Sequence, residues 1–199
     1  MIFIKGLTKK PFSVITPYII PKELNKKVNA GDGFIFDSSL KLIGFNPEII
    51  FSSRERLNDE KISLINSTKI LIIAGANIIK DKFEIISEFN IRTLEKIKIP
   101  IILMGIGHYG VKATNQFGLD SNSKIIVNEL LDRFPLISVR CNGSYDYMKK
   151  FLPEKTDNIL NTSCPVIFNL ENFNKNFKKK LCYDQLVVTV TDREMLKEQ

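Results

Sequence analysis

Four short segments carry the residue types from which a site for an anionic substrate could be built. They are "NAGD" at residues 29–32, "AGAN" at 74–77, "MGIGHYG" at 104–110 and "SVRCNGS" at 138–144. Arg140 is the most pointed member. Its guanidinium is a planar fork of donors matching phosphate or carboxylate, and the free amides of a following helix would add to that preference. The competing reading is a structural salt bridge at a strand end. His108, the only histidine, is the side chain best suited to proton transfer near neutral pH. It reads either as an acid-base group or as a surface residue. Gly31 permits a tight turn ahead of a helix expected from about Gly33, with Asp32 either an ordinary helix cap or a site residue. Gly75 lies between two alanines and lets backbone approach a ligand or a neighbouring strand. Gly105, Gly107 and Gly110 read as a flexible loop holding His108.

These segments gain meaning from the elements around them. The apolar runs "SVITPYII", "PEIIFSS", "KILIIAG", "IPIILMGIG", "PLISVR" and "QLVVTVT" are short, β-branched and bounded by turn residues, as buried parallel strands are. Between them, Val127, Leu130, Leu131 and Phe134 have helical spacing, as do Phe36, Leu40 and Ile43, and again Tyr145, Met148 and Leu152. Alternating strands and helices predict an α/β fold, a Rossmann-like parallel sheet with helices on both faces. In such a sheet ligands bind beyond the carboxyl ends of the strands. Each of the four segments is expected there.

Composition narrows the function further. The 199 residues are 44% hydrophobic and 26% charged, an ordinary globular mixture. No apolar stretch is long enough to span a bilayer, and Pro11, Pro17 and Pro21 interrupt the N-terminal apolar stretch, so a cytoplasmic protein with no transmembrane segment is expected. Cys141, Cys164 and Cys182 are widely spaced and read as single thiols. One histidine without a nearby carboxylate cluster predicts no metal, and without a G-x-G-x-x-G run no dinucleotide cofactor is expected. The net charge of +7 is densest in "NKNFKKK", which reads as a solvated connecting segment. With no recognition motif or aromatic platform beside it, no nucleic-acid partner is expected.

In order, "NAGD", "KILIIAGAN", "PIILMGIG", "SVRCNGSYDYM" and "TSCPVIF" resemble the motifs of the polysaccharide pyruvyl transferase family. The resemblance implies the N-terminal half of a two-domain, GT-B-like architecture. It also implies transfer of pyruvate from phosphoenolpyruvate to a sugar of a cell-surface polysaccharide as a ketal. Carried over residue by residue, it makes Arg140 a ligand for the donor's phosphate or carboxylate. Asn29, Gly31 and Asp32 become acceptor-side or loop-organising residues, and Ser144, with Gly75, Gly105 and Gly107, falls in the remaining motifs. The chain departs from the family in having Ala74 and Ala76 around Gly75, where a glycine run is common, and Cys164 before Pro165, where many relatives have Asp.

Family members continue into a second domain with a catalytic histidine. The expected division here is therefore a Rossmann-like domain over residues 1–183 and the start of a second domain over 184–199. The implied partners are phosphoenolpyruvate, a saccharide acceptor and a second-half polypeptide, with His108 the catalytic candidate within this chain. A nucleotide-sugar glycosyltransferase and a non-catalytic truncated binding module are the alternatives that share this frame.

Overall fold

The computed structural model describes residues 12–17, 30–75, 77–79, 82–83, 85–108, 119–134 and 136–168. In chain order the elements are β1 (Phe12–Thr16), α1 (Ala30–Ile43), β2 (Ile49–Ser52), α2 (Asp59–Ser67), β3 (Ile70–Ala74), β4 (Asn77–Ile79) and α3 (Ile91–Lys96). There follow β5 (Ile101–His108), α4 (Ser121–Arg133), β6 (Ile137–Val139), α5 (Asn142–Phe151), a 3₁₀ segment (Pro153–Asn158), β7 (Ile159–Asn161) and a 3₁₀ turn, Pro165–Phe168. By its internal contacts the chain divides into Met1–Asn169 and Leu170–Gln199. The second unit, the run "QLVVTVT" and the expected boundary at residues 183–184 lie outside the described residues.

Among the described residues the seven strands form one sheet in the order β2-β1-β3-β5-β6-β7, with β4 added to β5. Every ladder is parallel. A parallel sheet needs cover on both faces, and the period-2 alternation of the strands supplies two apolar surfaces. Ile15, Leu71, Ile73, Ile101 and Leu103 join the larger core with residues of α2, α3, α4 and α5. Val14, Ile72 and Ala74 turn the other way and meet Phe36, Leu40 and Ile43 of α1. The Rossmann-like sheet with helices on both faces is what the sequence predicts.

Two expectations need correction. α1 begins at Ala30 rather than near Gly33, so Gly31 and Asp32 lie inside its first turn. There Asp32 places a carboxylate in the first turn, at the positive end of the helix dipole, which favours helix in spite of the two glycines. The segment "MGIGHYG" is not a loop as far as His108, because β5 runs through that residue. Pairing with both β4 and β6 gives its backbone the partners that a flexible loop would lack. Asn29 and Gly110 lie outside the described residues.

α2 and α3 have too few turns for periodicity to mark them. Local caps hold them instead: the Asn58 side chain accepts from the Lys61 amide, and Asn90 and Thr93 form a reciprocal capping box.

Candidate functional site: an arginine held at the carboxyl edge

The site begins with an irregularity in β5. Leu103 pairs with Ile137 and Ile106 pairs with Val139, so β5 carries one more residue than β6 between these positions. Gly105 supplies the bend: its φ is +63° and its amide donates to Ser138 Oγ at 3.1 Å. Such a bulge flips the faces of the residues beyond it. Ile106 rather than residue 105 therefore joins Leu103 in the larger core, and position 107 turns to the opposite face.

Arg140 leaves the end of β6 and comes down on that position. Its backbone amide donates to Ile106 O at 2.9 Å, fixing the root of the side chain. Nη2 donates to Oδ1 of Asn77, the residue in register with Gly107 across the β4–β5 ladder. The guanidinium then covers Gly107. A methyl group on that glycine would stand 2.5 Å from Arg140 Nε and 2.5 Å from Asn77 Oδ1. Among the described residues no carboxylate pairs with Arg140. The choice left open by the sequence is thus decided against a salt bridge within these residues, because the half-buried guanidinium is held by a neutral amide that leaves its charge uncancelled.

His108 ends β5 immediately beyond Gly107. Its amide donates to Ser144 Oγ at 2.8 Å, while its ring lies against Tyr147 with centroids 4.1 Å apart, and Tyr147 in turn meets Phe151 at 4.7 Å. One turn of α5 thus sets the histidine's backbone through Ser144, and the next sets its ring through Tyr147. Ser144 is fully buried. It supports the site from behind, through the His108 amide and the Cys141 thiol.

Cys141 occupies the N-cap of α5 without a side-chain cap bond of the usual kind. Its Sγ lies 3.1 Å from Ser144 Oγ. Burial pushes this thiol up, but hydrogen bonds from the Ser144 hydroxyl and amide, the Arg140 charge and the Gly143 amide outweigh it and leave the pKa lowered.

The remaining glycines have structural explanations. Gly75, at φ +67°, donates its amide to Met104 O at 2.9 Å, and a side chain there would run into Ile35 of α1. At Gly105 a methyl group would meet the Pro165 ring at 2.7 Å. These two glycines make room for protein side chains. Gly75 does place the end of β3 against α1, beside the β1–β3 switch in strand order where α/β sheets open their crevice. Gly31 and Asp32 lie at the N-terminus of that helix.

Sequence reasoning passed over Asn77 and Cys141 as site residues. Asn77 had one signal, a polar residue just past the carboxyl end of an apolar strand, and Cys141 had its place between Arg140 and a helix. Among the described residues no cluster of three or more His, Cys, Asp or Glu could hold a metal ion, and no helix is long and apolar enough to cross a membrane.

A parallel α/β sheet that carries at its carboxyl edge an arginine with no carboxylate partner among the described residues defines a Rossmann-like domain. The polysaccharide pyruvyl transferase family model matches residues 29–196, and the chain belongs to that family. Its match therefore starts at the first site segment and includes all the others. No curated protein matches. The chain is similar to a crystal structure of a functionally uncharacterised protein from Klebsiella pneumoniae subsp. pneumoniae NTUH-K2044, with 21% identity and a TM-score of 0.44. The similarity covers 83% of this chain and 54% of that one, so the chain spans about half the length of that protein.

Proposed function

We propose that this chain is the donor-binding half of a pyruvyl transferase that moves pyruvate from phosphoenolpyruvate to a sugar of a cell-surface polysaccharide. Membership of the family supports the reaction class. The observation that carries the donor assignment is the Arg140 guanidinium, held by Asn77 and covering Gly107 with no carboxylate partner among the described residues. Phosphoenolpyruvate presents a phosphate and a carboxylate, either of which fits an arginine fork.

The chemistry asks for anion binding and an acid. A proton is added to the methylene carbon of the donor, and the cation that develops at the neighbouring carbon is attacked by one sugar hydroxyl. The C–O bond to phosphate breaks, phosphate departs with the bonding electron pair, and a second hydroxyl closes the ketal. The two hydroxyl protons go to the departing phosphate and back to the acid. Arg140 serves the first requirement by stabilising negative charge on the donor and on the leaving phosphate. His108 is this chain's candidate for the acid, with its ring set against Tyr147, and a second half-polypeptide is the other source of one.

Calorimetric titration of the chain with phosphoenolpyruvate, beside Arg140→Ala, tests this reading. Saturable binding that the variant loses is expected. Equal heats from both proteins, or binding of a nucleotide-sugar in preference to phosphoenolpyruvate, would sink it.

A further inference from the structure

The contact between Arg140 and Asn77 contains a choice of chemistry. A guanidinium has only donors, so the atom of Asn77 that meets Nη2 must be the amide oxygen. A carboxylate would accept the same bond more strongly and would also neutralise the arginine. The chain instead has the uncharged isostere of aspartate at this point.

The asparagine is also well anchored. It opens β4, whose next two residues, Ile78 and Ile79, are buried in the larger core, and it stands opposite Gly107 in register. Its oxygen and the Arg140 Nε would both be 2.5 Å from a methyl group on Gly107, so the three residues form one tight cluster. Arg140 is consequently fixed at its root by Ile106 O and at its tip by Asn77. A long side chain held at both ends has less rotamer freedom to lose when a ligand arrives.

We infer that Asn77 is the positioning residue of this site: it orients the Arg140 guanidinium and, being neutral, leaves the arginine's charge available to an anionic ligand. The orienting part stands on the Arg140–Asn77 geometry, while the charge part rests on the reading of Arg140 as a donor-binding residue.

Two variants and two readouts separate these parts. Asn77→Ala removes the acceptor, and Asn77→Asp keeps the acceptor but adds a charge. Rotation about the Arg140 Nε–Cζ bond is read from side-chain nitrogen NMR, with the signal assigned by its absence in Arg140→Lys. Affinity is read by calorimetry with phosphoenolpyruvate.

Rotation should be slow in the wild type and in Asn77→Asp and fast in Asn77→Ala. Phosphoenolpyruvate affinity should fall about tenfold in Asn77→Ala through lost orientation. In Asn77→Asp it should fall about a hundredfold or more, although folding is intact and Arg140 is still held. A purely structural asparagine would tolerate aspartate, so wild-type affinity in Asn77→Asp would overturn the charge part. Unchanged rotation in Asn77→Ala would overturn the orienting part. Absence of phosphoenolpyruvate binding by the wild type would remove the donor reading, and the charge part with it, while the NMR comparison still decides the orientation.

Discussion

Arg140 occupies the space that a side chain at Gly107 would need, its Nε only 2.5 Å from where the first carbon of that side chain would stand. The glycine therefore serves the arginine. Gly107→Ala is expected to push the guanidinium aside, since the obstructing groups are the far ends of the Arg140 and Asn77 side chains and can move at small cost to the fold. Stability should change by less than about 1 kcal/mol, with phosphoenolpyruvate affinity falling about tenfold or more. Urea unfolding beside calorimetry checks this, and a large stability loss with unchanged binding would contradict it.

The neighbouring glycine should behave in the opposite way. Gly105 has φ +63° and would drive a methyl group into the Pro165 ring at 2.7 Å, a rigid obstacle. Left-handed backbone on a side-chain-bearing residue and overpacking each cost about 1–3 kcal/mol, so Gly105→Ala should destabilise the chain by about 2 kcal/mol or more. A urea midpoint equal to the wild type would refute the structural reading of Gly105.

How much of this was legible follows from what periodicity can encode. The apolar runs gave five of the described strands and the right fold class, because burial on both faces leaves a continuous β-branched signature. The bulge at Gly105 was misread as part of a loop, since glycine in an apolar run gives the same local signal for a bend within a strand as for the end of one. Arg140 was legible from its place between a strand and a helix. Asn77 was not, because a three-residue strand such as β4 has no period to detect, and its bond to Arg140 spans 63 residues of sequence.

Replacing Arg140 by lysine tests the fork rather than the charge. Lysine keeps the positive charge but offers a point donor on a flexible stem, and cannot both satisfy Asn77 and present a planar pair to the ligand. Arg140→Lys should retain weak phosphoenolpyruvate binding, lower by about 1–2 kcal/mol, whereas Arg140→Ala should lose about 2–5 kcal/mol. Equal affinities in the lysine variant and the wild type, measured by calorimetry, would mean that a bare charge suffices.

Ser144 couples two groups, accepting from the His108 amide at 2.8 Å and lying 3.1 Å from Cys141 Sγ. Ser144→Ala leaves the half-buried His108 amide without its acceptor and should cost about 1 kcal/mol in urea unfolding. Wild-type stability would show that the amide finds another acceptor at no cost.

The same substitution has a second consequence at Cys141. Although burial raises the thiol, the hydrogen bonds from Ser144, the Arg140 charge and the Gly143 amide lower its pKa overall. The folded thiol therefore ionises at a lower pH than the unfolded one. Its contribution to stability is full above the unfolded pKa, falls as the pH drops towards the folded pKa, and vanishes below it, where both states hold the proton. Because the thiolate is the nucleophile, iodoacetamide should alkylate Cys141 with a pH midpoint below that of the urea-unfolded chain. Cys164→Ser and Cys182→Ser in the background isolate the signal. Ser144→Ala and Arg140→Ala should each move the folded midpoint upward, Ser144→Ala further, because the hydroxyl's hydrogen bond, which alanine removes, outranks the arginine's charge among the lowering effects. Coincident midpoints in folded and unfolded protein would remove the effect, and a shift in the arginine variant alone would assign it to charge without the hydrogen bond.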